Sequence, residues 1–147
     1  MSFEALDDLY REVILDHYQN PRHHVPIDPH DVEQEGYNPL CGDQVVMQLK
    51  FDGTVLSNIG FSGKGCSISQ ASTSILTEEV LGKTIPEIEK RIEFFKDLMH
   101  GKIKEGGEDL GDLEALSGVQ KFPVRIKCAL LAWTTLQEAI EFYQKKK

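Results

Sequence analysis

The chain reads as one α+β domain over residues 1–147, with helices packed on an antiparallel sheet. Two alternating segments joined by a hairpin signal give the sheet. Apolar residues at helical spacing on both flanks give the helices. No internal repeat and no second compositional block divides the sequence.

The elements follow in order. Over residues 3–19, Phe3, Leu6, Leu9, Tyr10, Val13, Ile14 and His17 recur at helical spacing behind Ser2 as a cap, and Asn20-Pro21 stops the helix. Residues 21–38 carry prolines, a glycine, scattered acids and three histidines without a period, and read as a surface loop. Residues 44–51 alternate, placing Val45, Met47, Leu49 and Phe51 on one face; after Asp52-Gly53 the alternation continues through Val55, Ser57, Ile59 and Phe61. Gly60, Gly63 and Gly65 punctuate the exit towards Cys66. The spacing predicts a helix over 67–81, with Ile68, Ala71, Ser72, Ile75 and Leu76 on one stripe and Gly82 closing it.

Thr84-Ile-Pro-Glu87 has the form of a capping box and opens a helix carrying Ile85, Ile88, Ile92, Phe95 and Met99, ended by Gly101. Residues 101–109 read as an exposed glycine-rich loop, and 110–117 as one or two helical turns. Pro123 begins a long helix with Ile126, Ala129, Leu130, Trp133, Leu136, Ile140 and Tyr143 as its core stripe, and a terminal Lys-Lys-Lys that suits the negative end of the dipole. Trp133 and the Phe94-Phe95 pair fall in the core by spacing.

Composition is that of an ordinary water-soluble domain, 40% hydrophobic and 27% charged. No apolar run approaches the roughly 20 residues that span a bilayer, so no membrane partner is expected. The acidic, amphipathic N-terminus lacks a signal-peptide pattern, which places the chain in the cytoplasm, where thiols stay reduced. A net charge of −8 argues against nucleic acid as a partner.

Three cysteines from distant segments remain, with no CxxC pair to suggest a disulfide framework or zinc ribbon. Cys41-Gly42-Asp43 sets a thiol and a carboxylate on one tight turn. Cys66 stands at a helix start, where free N–H groups favour a thiolate. Cys128 follows Arg125 by three residues on one helix face, which predicts a lowered thiol pKa. Cys41, Asp43, Cys66 and Cys128 form a tetrahedral donor set for zinc, and Arg125 and Lys127 stand ready to offset its negative charge. Sulphur-rich ligation equally suits an iron–sulphur cluster, and spacing does not choose. A free cysteine is also a small buried hydrophobe, a reading that fits Cys128 and Cys66 better than Cys41 in its Pro/Gly/Asp loop. None of His17, His23, His24, His30 and His100 neighbours a cysteine, so all five are left out of the donor set, and His17 is read as helix packing.

At these residues the sequence resembles the U-type iron–sulphur assembly proteins, a SufE/NifU-like fold family. The likeness rests on Asn38-Pro-Leu-Cys-Gly-Asp43, Gly63-Lys-Gly-Cys-Ser-Ile-Ser-Gln-Ala-Ser72 and Arg125-Ile-Lys-Cys-Ala-Leu-Leu-Ala-Trp133. It extends to Leu9-Tyr10 and Asp16-His-Tyr-Gln-Asn-Pro-Arg22. Within the family the chain is more similar to the SufU type than to the IscU type. Lys127 stands where the IscU type has a histidine before the third cysteine, and Phe122-Pro-Val-Arg-Ile-Lys127 replaces the chaperone-recruiting Leu-Pro-Pro-Val-Lys run. The segment between Cys66 and Cys128 is longer than in IscU-type members.

The resemblance implies a three-stranded antiparallel sheet and zinc on Cys41, Asp43, Cys66 and Cys128. It implies a persulphide relay from a pyridoxal-phosphate cysteine desulphurase (SufS-like) to the cluster assembly complex (SufB-like), with a scaffold for a transient [2Fe–2S] cluster as the alternative. Cys41, on its glycine-flanked loop, is the expected sulphur acceptor, with Arg125 steadying charge beside it.

Overall fold

A computed structural model describes residues 8–102 and 112–146. Its elements are α1 (Asp8–Gln19), β1 (Val32–Asn38), β2 (Asp43–Asp52), β3 (Val55–Lys64), α2 (Ser67–Val80), α3 (Ile85–Met99), α4 (Leu113–Ser117), a 3-10 turn (Gly118–Lys121) and α5 (Pro123–Lys146). The expected helical residues 3–7 and the expected loop residues 103–109 lie outside the described residues.

The sheet is an antiparallel meander in the order β1-β2-β3. Alternation in β2 buries Asp43, Val45, Met47, Leu49 and Phe51 on one face, one residue beyond the predicted strand at each end. That face meets α5, which lies against β1 and β2, while α2 packs on β3 and on α5. Trp133 of α5 stacks on Phe95 of α3, with ring centroids 4.3 Å apart. These two and Phe61 are among the largest fully buried side chains, so the core sits between the sheet and the α2–α5 pair.

Two expectations fail: β3 buries Leu56 in place of Val55 and Ser57, because the β2–β3 register shifts at Lys50/Phe51, and the loop expected over residues 21–38 is partly strand. Residues 32–38 form strand β1, not a loop, pairing in continuous register from Val32↔Leu49 to Asn38↔Asp43. The segment shows no apolar period because it is an edge strand that buries only its two ends, Val32 and Asn38. Its pairing comes from the ladder to β2 and from α5, not from its own hydrophobicity.

Local signals explain the helix boundaries. Thr84 caps α3 in a complete capping box, its side chain accepting from Glu87 N–H while the Glu87 carboxylate accepts from Thr84 N–H. That reciprocal bond holds the Glu87 carboxyl below its ordinary pKa. The α2 helix ends at Val80, and Gly82 follows in the left-handed region at φ +85°.

Buried polar groups tie the helices together. Ser72 Oγ donates to the Ala129 carbonyl at 2.6 Å and accepts from Trp133 Nε1 at 3.0 Å, joining α2 to α5 beside Cys128. His17, 1% exposed, bonds Ser74 Oγ through Nδ1 at 2.8 Å and Asp112 through Nε2 at 2.6 Å. Both ring nitrogens are occupied, so His17 is a clamp between α1, α2 and the start of α4, more than the simple packing its spacing suggested. No helix among the described residues is long and apolar enough to cross a membrane.

Replacing Ser72 with Ala orphans the buried Trp133 N–H and should lower the unfolding free energy by about 1–3 kcal/mol. Urea denaturation of Ser72→Ala checks this, and an unchanged midpoint and slope would contradict the role given to this bond.

Candidate metal centre

One end of the sheet gathers the residues that carry chemistry. The β1–β2 turn holds Cys41, the first residue of β2 is Asp43, the exit from β3 leads to Cys66 at the start of α2, and the first turns of α5 supply Arg125 and Cys128. Because the turn, the β3 exit and two helix starts converge, residues 87 positions apart in sequence become neighbours.

The β1–β2 turn is built by Asn38. Its backbone carbonyl accepts the Cys41 N–H and its side-chain Oδ1 accepts the Leu40 N–H. Gly42 follows at φ +68°, a conformation that glycine adopts without penalty, and turns Cys41 and Asp43 towards the same side. Asp43 is fully buried. Its Oδ1 accepts the Cys66 N–H at 2.9 Å and its Oδ2 faces the Asn38 side-chain amide at 3.4 Å. Gly65 makes this approach possible, because a Cβ there would stand 2.5 Å from Asp43 Oδ1.

The Cys41 and Cys128 sulphurs lie 3.0 Å apart, and ligand atoms of Cys41, Asp43 and Cys128 all lie within 4.8 Å of one another. Cys66 is the N-cap of α2, as its position predicted, and its sulphur accepts the Ser69 N–H at 3.4 Å. Its sulphur is not among the ligand atoms that meet within 4.8 Å, and Cys66 is tied to that group through its backbone N–H bond to Asp43. Arg125 Nη1 reaches Cys41 at 3.8 Å and Cys128 at 4.0 Å. Lys127 is exposed and lines a groove with Tyr37 and Leu131, so of the two expected cations Arg125 is the one that reaches the thiols. None of the described histidines joins the group.

The electrostatics correct one expectation. Arg125 was expected to lower the Cys128 thiol pKa; instead burial raises it well above its ordinary range, reinforced by the Cys41 hydrogen bond and by the negative charges of Cys66 and Asp43. A guanidinium 4.0 Å away does not offset complete burial next to acidic neighbours. Asp43 likewise sits buried without a Lys or Arg ion pair among the described residues, held by neutral N–H donors. A pocket with two thiols and a carboxylate held by neutral donors fits a thiophilic cation such as zinc, and sulphur ligands also fit an iron–sulphur cluster.

Leu40 and Val124, neighbours in sequence of Cys41 and Arg125, are 70% and 68% exposed and give the rim of the centre an apolar surface.

Sequence reasoning passed over Asn38 as a separate residue. The only signal was its place at the head of the Asn38-Pro-Leu-Cys-Gly-Asp43 motif, where a short amide organises a turn.

Fold and site together define a small α+β domain that gathers thiols and a carboxylate able to hold a metal ion at a sheet end and two helix starts. Residues 9–129 match the NifU-like N-terminal domain, and the chain belongs to that family. It is 46% identical over 141 residues to the zinc-dependent sulfurtransferase SufU of Bacillus subtilis (strain 168), covering 95% of each chain. It is 40% identical to the iron–sulphur cluster assembly scaffold protein IscU of Streptococcus pyogenes serotype M1, covering 96% of this chain and 88% of that one. A crystal structure described as that of an iron–sulphur cluster assembly scaffold protein for the SUF system (FiSufU) of Fervidobacterium islandicum AW-1 matches with a TM-score of 0.81 at 37% identity, over 87% of this chain and 93% of that one.

The raised Cys128 pKa carries a pH signature. The folded chain holds that proton more tightly than the unfolded chain, so in metal-free protein the contribution is intact below the ordinary thiol value of 9.0 and declines as pH rises above it. The loss should reach about 1 kcal/mol one pH unit higher. Urea midpoints of metal-free protein on either side of that value should fall more for the native chain than for Cys128→Ser; equal falls would contradict the assignment.

Proposed function

We propose that this protein is a zinc-dependent sulphur carrier in cytoplasmic iron–sulphur cluster biogenesis. The observation that carries the reading is the meeting of Cys41, Asp43 and Cys128 within 4.8 Å, with Arg125 on both thiols. The 46% identity to a protein named a zinc-dependent sulfurtransferase supports it. Cys41, Asp43, Cys66 and Cys128 are the proposed ligands. Zinc bound there would keep the thiols ionised and shield them from oxidation.

The chain's own residues divide the work. Cys41 is the sulphur acceptor: it lies half-buried, whereas Cys128 is fully buried and Cys66 is engaged as a helix cap. The donor is a persulphide on a pyridoxal-phosphate cysteine desulphurase (SufS-like). The Cys41 thiolate attacks its outer sulphur, a new S–S bond forms, the bond to the desulphurase cysteine breaks, and that cysteine leaves as a thiolate. Arg125, 3.8 Å from the Cys41 sulphur, balances the negative charge during exchange. The exposed Leu40 and Val124 offer the desulphurase an apolar contact next to the reacting thiol. The bound sulphur then passes to the cluster assembly complex (SufB-like).

The alternative is a scaffold on which the same residues hold a transient [2Fe–2S] cluster as cargo. The 40% identity to a protein named an assembly scaffold favours it.

Labelled persulphide on a desulphurase tests the two. The zinc-loaded protein should acquire the label on Cys41, Cys41→Ala should acquire none, and Arg125→Ala should react about ten- to a hundredfold more slowly. Full uptake by Cys41→Ala would sink the carrier assignment. A cluster passed intact to an apo-protein, without sulphur uptake, would establish the scaffold.

A further inference from the structure

The four proposed ligands are not held alike. Asp43 is fixed by two neutral donors, the Cys66 N–H at 2.9 Å and the Asn38 amide at 3.4 Å. Cys66 is fixed by the Ser69 N–H in the first turn of α2. Cys128 is fully buried and lies 3.7 Å from the same Asn38 amide nitrogen. The Cys41 sulphur is half-buried and, among the described residues, is reached by Arg125 at 3.8 Å and Cys128 at 3.0 Å, contacts that Cys128 shares, but by no backbone or amide N–H.

Asn38 is the common element on the fixed side. It is 7% exposed and sits opposite Asp43 at the last pair of the β1–β2 ladder. Its Oδ1 accepts the Leu40 N–H, which turns Nδ2 towards Asp43 and Cys128. A neutral amide suits this place: it satisfies a carboxylate and a sulphur with one NH2 group and adds no charge beside a cation site. An N–H aimed at the Cys128 sulphur fixes the direction in which that sulphur points.

We propose that Asn38 is a positioning residue that pins Asp43 and Cys128 in the metal centre, so that Cys41 is the one thiol free to turn outward. The selectivity of sulphur uptake then comes from the neighbours that hold the other ligands still, and not only from the exposure of Cys41. This rests on the reading above that the four residues hold one zinc ion.

Zinc-loaded native protein, Asn38→Ala and Asn38→Asp are each treated with limiting iodoacetamide, and modification of every cysteine is followed by mass spectrometry. In the native protein Cys41 should react at least about tenfold faster than Cys128. In both variants that ratio should fall to within about threefold, and zinc should pass to a chelator about tenfold faster. Asn38→Asp keeps the Oδ1 that serves Leu40 and removes the N–H donor, so it separates the donor role from collapse of the turn. A thermal melt of each variant confirms that it is folded. An unchanged Cys41-to-Cys128 ratio in Asn38→Asp overturns the proposal. Zinc content is measured first: absence of stoichiometric zinc in the native protein brings down the metal reading and this one with it, whereas full zinc with an unchanged ratio brings down the role of Asn38 alone.

Discussion

A buried carboxylate held by neutral N–H donors organises the working end of this molecule. Asp43 is the first residue of β2, fully buried, and held by the Cys66 N–H and the Asn38 amide. Through these two bonds it couples the β1–β2 turn to the start of α2. The close approach exists because residue 65 has no side chain. A buried carboxylate is a ready ligand for an ion, so this one residue links the local backbone design to the proposed metal.

The rest of the architecture presents that end. The α2–α5 contact through Ser72, Trp133 and the Ala129 carbonyl lies one residue beyond Cys128 and fixes where α5 begins. The His17 clamp holds α1 against α2 and the approach to α4. Packing of α5 on β1 and β2 then brings Arg125 and Cys128 over the turn that carries Cys41. Stability and chemistry meet in the first turns of α5, where Ala129 follows Cys128.

Much of this was legible in the sequence, for identifiable reasons. The β2–β3 hairpin announced itself by alternation in β2 and by Asp52-Gly53, and the capping box at Thr84 marked α3. The register shift at Lys50/Phe51 that buries Leu56 in place of Val55 and Ser57 left no mark in the pattern. The cysteines were visible as residues out of place in turns and helix starts. Strand β1 was not, because Val-Glu-Gln-Glu-Gly-Tyr-Asn has no apolar period and gains its conformation from β2 and α5. The Cys128 pKa was misjudged because helical spacing reveals a nearby arginine but not the depth of burial that outweighs it. Asn38 was hidden for a similar reason, since its two partners come from different elements.

The central claim is that Cys41, Asp43, Cys66 and Cys128 close around one metal ion. X-ray absorption at the zinc edge of the zinc-loaded protein tests it most directly. The account predicts three sulphur neighbours at about 2.3 Å and one oxygen at about 2.0–2.2 Å, with the oxygen replaced in Asp43→Ala. Two or fewer sulphur neighbours, or a shell unchanged by that substitution, would contradict it.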